Sequence, residues 1–164
     1  MQRIVTTDIT RKIRGRGNKM KKLTVRGIST HEESKGEWKY GYLIEDEGIS
    51  YIINSVVEAN DEYITIGEWC SVEPETVGIS TDLLDKNNRE IFEGDIVKRY
   101  KSPFFKAEWE YQIETVVRRE AGLLLGKYFG NNLGTISFGT PFTKGDLLEV
   151  IGNIYENPEL LEGE

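Results

Sequence analysis

A period-two alternation of apolar and polar residues, broken every few positions by a turn, most constrains what this chain can fold into. "EWKYGYLIE" puts Trp38, Tyr40, Tyr42 and Ile44 on one side of an extended chain and Lys39, Gly41 and Leu43 on the other. "EDEG", Glu45 to Gly48, is an acidic, glycine-terminated turn, and "ISYIINSVV" follows as its returning strand. Upstream, "KLTVRGI" alternates in the same way, so Leu23–Ile28, Glu37–Ile44 and Ser50–Asn54 are expected to form an antiparallel meander. Further strands are expected over Tyr63–Ile66 and near Thr76–Ser80, with Pro74 between them because it offers no N–H to a ladder. "STDLLDKN" allows one helical turn at most.

After Gly94 the pattern resets. "DIVKRYK" reads as a strand. "EWEYQIETVVRR" follows, with Trp109, Tyr111, Ile113, Thr115 and Val117 expected on the buried face and Glu114 on the wet one. "GLLLGKYF", "GTISF" and "DLLEVIGNIYE" complete five short strands from about residue 95 to 155, which predicts a small barrel. The fold class is therefore mainly β: an N-terminal antiparallel β meander followed by a small β-barrel.

Charge is unevenly spread. Residues 1–26 hold nine Lys and Arg against Asp8 alone, while the other 138 residues hold 12 Lys and Arg against 27 Asp and Glu. A basic arm of this kind can bind nucleic acid. "RGRGNKMKK" is also what a purine-rich ribosome-binding site and start codon would encode if read in frame, and "MKKLTV" is an ordinary start, so translation is expected to begin at Met20. The single cysteine, Cys70, excludes an intrachain disulfide and fits a reducing cytosol. No apolar run reaches the roughly 18 residues that span a bilayer, so no membrane partner is expected.

Chemistry-bearing constellations are few. Asp82, Asp85, Glu90, Glu93 and Asp95 cluster within fourteen residues. Read as a calcium loop from Asp85, however, Arg89 stands at a ligand position, Glu90 at the glycine position and Ile96 at the closing acid. Turn chemistry at Asp85–Arg89 and Glu93–Asp95 explains the stretch instead. The only histidine, His31, and the only thiol, Cys70, are far apart in sequence with nothing to orient them, and no zinc set exists. We expect no catalytic, cofactor or metal residues. Aromatics on a sheet could stack nucleic acid, but the acidic body repels phosphate, and core is the simpler reading of both aromatic stripes.

"LTVRGI", "GEWKYGYLIE", "VEPETVGISTDLLDKNNREIFEGDIV" and "EVIGNIYENPEL" occur in that order, and together they closely resemble the YopX family of phage and prophage proteins. The resemblance spans Lys21 to Leu161 and rests on positions including Trp38, Tyr40, Tyr42, Asp85, Asn87, Glu93, Gly94, Asp95, Gly152, Asn153 and Tyr155. Two departures fall where the family has glycine, at Asp82 and Asn88. The resemblance implies an SH3-like barrel beginning near "EGDIV" and a phage accessory protein in the bacterial cytoplasm. It carries no catalytic residues. The expected organisation is a basic tail over 1–19, an N-terminal β module over 20–90, the barrel over 91–157 and an acidic tail over 158–164. The expected role is a non-enzymatic, self-associating module that binds a host or phage protein. The alternatives are nucleic-acid binding through the basic arm or aromatic face, and a minor virion component.

Overall fold

The computed structural model of the chain describes residues 23–101, 110–119, 122–129, 132–137 and 147–161. The basic tail 1–19, Met20 and Trp109 lie outside them, as do residues 162–164 of the acidic tail. The described chain is mainly β, in antiparallel sheets, with short 3-10 turns and no α-helix.

The first sheet contains the meander: β1 Val25–Ile28, β2 Trp38–Asp46 and β3 Ile49–Ile53 pair antiparallel in sequence order. The β2–β3 turn has positive φ at Glu47 and Gly48, the geometry of a tight hairpin turn that glycine suits. β4 Val56–Ala59 and β5 Ile64–Ile66 form a two-stranded extension beyond β3, and β6 Trp69–Val72 returns beside β3. On the other flank, β7 Gly78–Leu84 pairs with β1 and β8 Glu90–Phe92 pairs with β7, giving the order β6-β3-β2-β1-β7-β8. Thr81–Leu84 is thus strand, without the helical turn that the sequence allowed: the hydroxyls of Ser80 and Thr81 accept from the N–H groups of Asp82 and Leu83.

This sheet curls. A single bridge joins Ser29 to Val72, with Thr30 N–H donating to the Ser71 carbonyl and Glu73 N–H to that of Ile28. Inside the curl, Val25, Ile52 and Val72 form a small core, with Leu43, Val77 and Ile79 packed against it. Tight curvature explains the glycines that face inward. A Cβ on Gly41 would lie 2.1 Å from the Ile53 carbonyl oxygen, and one on Gly27 would lie 3.0 Å from Val72 Cγ2.

The second sheet comprises β9 Asp95–Tyr100, β10 Tyr111–Arg119, β11 Gly122–Phe129, β12 Asn132–Ser137 and β13 Leu148–Asn153. Its order is β12-β11-β10-β9-β13, and β12 and β13 stay unpaired with each other, so the five expected strands form an open sheet among the described residues. Ile91, Val97, Val116, Leu125, Leu148 and Val150 are its buried core. Burial of each such side chain stabilises the fold by about 1.5–3 kcal/mol. Ile91 belongs to this core although β8 pairs in the first sheet. The boundary expected at residue 90 therefore falls within a hairpin that serves both halves.

β10 is buried on both faces at its middle, not on one as expected: Thr115 is buried as read, but so are Glu114 and Val116 on the other face, and Tyr111 at the start of the strand is exposed. Glu114 tolerates burial because Arg99 grips it with two nitrogens, at 2.7 and 2.8 Å, and donates to Gln112 as well. A neighbouring arginine, invisible to periodicity, lets this one carboxylate be buried.

Candidate functional site

The motif residues converge on one buried cation. Arg26 in β1 is sealed from solvent, and its guanidinium stands 2.6 Å from the carboxylate of Asp95, which is fully buried at the start of β9. The same nitrogen donates to the Glu93 carbonyl at 3.2 Å. Trp38 and Phe92 stack on the guanidinium at 4.4 and 5.1 Å. Asp95 also accepts the Phe92 N–H at 2.8 Å, which pins the turn through Gly94. Burial pushes the Asp95 carboxyl above its ordinary range, with the Arg26 charge as the strongest opposing influence. Glu93 Oε2 and Asp95 Oδ1 lack hydrogen bonds but are ion-paired, to Arg118 and Arg26 respectively, so the one uncompensated buried polar atom among the described residues is Arg26 Nε.

The C-terminal motif closes around this centre. Asn153 ends β13 and folds the chain by accepting the N–H groups of Tyr155 and Glu156 on its Oδ1, both at 3.0 Å. Glu156 then accepts the Trp38 indole N–H at 3.0 Å. That bond, followed by one from Asn153, holds its carboxyl below the usual range. Tyr155 tilts against Trp38 and donates its phenol to the Glu75 carbonyl. Gly94 has φ of +83°, and a Cβ there would meet the Tyr155 ring at 3.1 Å. Gly152 sits at a register shift in β13, where a Cβ would lie 2.5 Å from the Asn157 side chain.

Asp85 stands apart from this centre. Its Oδ1 accepts the N–H groups of Asn87 and Arg89, and its Oδ2 accepts that of Val150, so the loop is docked on β13. Both oxygens are thereby spent on backbone. The acid cluster disperses accordingly: Glu90 accepts from Ser80, Glu93 pairs with Arg118 and Asp95 pairs with Arg26. The two family glycine positions explain themselves, since Asp82 and Asn88 have φ of 59° and 62°. Asn and Asp are the non-glycine residues that adopt this conformation most readily.

The aromatic stripe of β2 is not core, contrary to expectation. Only its first end is covered: Trp38 by Arg26 and Tyr155, and Tyr40 by the edge of Phe92. Tyr40 remains 46% exposed, and Tyr42 and Ile44 are exposed beside it. Register extends this outer face across three strands. Tyr42 lies opposite Ile53, which lies opposite Trp69, and Ile44 lies opposite Tyr51. Trp69 is 59% exposed and meets the Tyr51 ring edge-on at 5.5 Å. Ile44, Asp46, Tyr51, Ile53, Ile66 and Trp69 line a hollow of about 280 Å³. The β4–β5 hairpin continues the surface with Val57 73% and Ile64 65% exposed. Period two located the stripe in the sequence. It could not reveal that the residues on its other side, Gly41 and Leu43, were the ones turned inward.

His31 and Cys70, distant in sequence, line one cleft of about 230 Å³. The Cys70 thiol is held 2.9 Å from the Ser29 hydroxyl and donates to the Ser71 carbonyl. Among the described residues no group of three His, Cys, Asp or Glu side chains is arranged to hold a metal. No helix there is long and apolar enough to cross a membrane.

The molecule is thus an all-β protein with two large antiparallel sheets and a two-stranded one, the large sheets joined by a buried Arg–Asp pair and the first bearing an exposed aromatic face. It belongs to the YopX family: the model of that family, described as YopX protein, matches residues 17–162. The chain is also similar to a solved structure described as the crystal structure of protein EF1440 from Enterococcus faecalis. The two share 26% sequence identity and a TM-score of 0.48 over 85% of this chain and 97% of the other. No curated protein matches the chain.

Proposed function

We propose that this is a non-enzymatic phage or prophage accessory protein of the bacterial cytoplasm, built to bind another protein through the outer face of its N-terminal sheet. The observation that carries this reading is the bare end of that face, where Ile44, Ile66 and Trp69 surround an apolar hollow with no chain over it among the described residues. Contiguous apolar surface rimmed by polar groups marks interaction sites, and aromatics are enriched where such sites carry most of their energy.

The second sheet is read as an SH3-like barrel. Its meander β9-β10-β11-β12, with β13 returning beside β9, supports that topology. Self-association belongs to the same reading, since β12 is an end strand, and end strands can pair with a second copy.

A photo-crosslinking residue placed at Ile44 or Trp69 tests the interface in bacteria producing the protein. The expected result is a discrete protein adduct from both positions and none from Leu161, an exposed site near the other end of the chain. Adducts to nucleic acid, or no discrete adduct from the face, would overturn the proposal.

A further inference from the structure

We infer that the occupant of this face is a basic amphipathic polypeptide, one that lays apolar side chains on Ile44, Ile66 and Trp69 and sets Lys or Arg around them. The inference rests on the preceding reading of the face as a protein interface and adds the chemistry of the partner. Its ground is charge. From Tyr40 to Val72 the chain has seven Asp and Glu and no Lys, Arg or His. This is the stretch that builds most of the outer face: β2 from Tyr40, β3, the β4–β5 hairpin and β6.

The acids border the apolar surface closely. Asp46 lines the hollow itself. Glu58 and Glu62 are exposed on the hairpin, while Glu68 lines the neighbouring His31–Cys70 cleft that shares Trp69 with the hollow. Among the described residues the cations near the face are committed elsewhere: Arg118, which lines a hollow with Tyr42, pairs with Glu93 at 3.1 Å. Lys39 is paired with Glu37 at 2.8 Å, and Arg26 is buried against Asp95.

Two other occupants are disfavoured by the same arithmetic. A second copy docked face to face would bring one acidic rim against another, and like charges across an interface are a strong discriminator against a partner. A nucleic acid would meet the aromatics only by bringing phosphates against carboxylates. A basic amphipathic chain satisfies both features at once: its cations complement the rim and speed encounter, and its apolar side chains fill the hollow.

The test uses the full-length protein and three synthetic 20-residue peptides titrated by calorimetry. One alternates Lys and Leu, one alternates Glu and Leu, and one alternates Lys and Ser. The inference expects the Lys–Leu peptide to bind, and the other two to bind at least tenfold more weakly. It expects Trp69→Ala to weaken Lys–Leu binding tenfold or more. Asp46→Asn with Glu62→Gln should weaken it severalfold and flatten its dependence on salt. Circular dichroism of each variant confirms an intact fold, and Ile66→Ser serves in place of Trp69→Ala if that variant does not fold.

Equal binding of the Lys–Leu and Glu–Leu peptides, both sensitive to Trp69, would overturn the basic partner and leave the interface reading standing. Lys–Ser binding equal to Lys–Leu, and indifferent to Trp69, would overturn the face as the docking surface. No peptide binding, together with a dimer abolished by Trp69→Ala, would assign the face to a second copy and overturn the inference.

Discussion

Replacing Arg26 by Met tests the joint between the two sheets most directly. Methionine keeps much of the buried volume and removes the charge. What is lost is the 2.6 Å pair with Asp95, a hydrogen bond to the Glu93 carbonyl, and the stacking of a cation on Trp38 and Phe92. The dominant effect is on the partner left behind, because Asp95 has no solvent exposure in which to rehydrate. Removing one member of a buried pair costs about 3–5 kcal/mol, a large share of the roughly 5–15 kcal/mol that holds a domain folded. The cost should depend on pH. Burial already raises the Asp95 carboxyl above its ordinary 3.8, and Arg26 is the strongest influence opposing that rise. Without Arg26 the folded value climbs further. A carboxyl raised in the folded state contributes stability that is complete below its unfolded pKa and is lost as pH rises through the folded value. The penalty of Arg26→Met should therefore be small near pH 3.5 and grow toward pH 7. Urea unfolding of both proteins across that range measures it, and Arg26→Met/Asp95→Asn should recover part of the loss at neutral pH, since Asn still accepts the Phe92 N–H. A penalty under about 1 kcal/mol at pH 7, or one unchanged by acid, would refute the view that this pair is buried and joins the halves.

Other perturbations have worked signs. Gly94→Ala should destabilise by about 1–3 kcal/mol, because a side chain at φ of +83° is strained and its Cβ meets Tyr155; an unchanged urea midpoint would contradict this. Asn88→Gly should stabilise by up to about 1 kcal/mol by relieving a non-glycine residue at φ of 62°, so a lowered melting temperature would count against the loop geometry. Trp38→Phe removes the indole N–H that chiefly holds Glu156 low. A carboxyl lowered in the folded state contributes stability present above its unfolded pKa and lost as pH falls through the folded one. The gap between wild type and Trp38→Phe should therefore be widest at neutral pH and narrow toward pH 3, with the Glu156 share below about 1 kcal/mol at this exposed site. A gap independent of pH would remove Glu156 from the joint.

Local pattern carried far. The meander of β1 to β3, the turn at Glu45–Gly48, the five strands after Gly94 and the role of Asp85 as turn chemistry were all legible, because alternation and turn residues act over a few positions. Where reading failed, the cause was non-local. β4 and β6 were not separated from their surroundings, since short, exposed or edge strands leave little periodic signal. The burial of Glu114 on the second face of β10 was missed because Arg99, fifteen residues away, decides whether that carboxylate can be buried.

The candidate site divides in the same way. The residues of the joint could be named from motifs, but nothing in the chain order told that Arg26, Trp38, Asp95, Asn153 and Tyr155 surround one point. Arg26 in particular looked like the polar side of a half-buried strand. Only the docking of the second sheet sealed it against Asp95. The aromatic stripe was visible as a stripe, yet which side of β2 faces the core depends on curvature. The curled sheet is filled inside by aliphatic side chains such as Val25, Ile52 and Val72, and its backbones approach too closely at Gly27 and Gly41 for a larger residue, so the rings are left outside. Sequence alone thus determined most of the strands and turns, which follow from short-range backbone preference and periodicity, and the family, which follows from its motifs. Tertiary structure decided which faces are buried, which charges meet and which aromatics remain open to a partner, because burial is a property of what packs across a gap between distant segments.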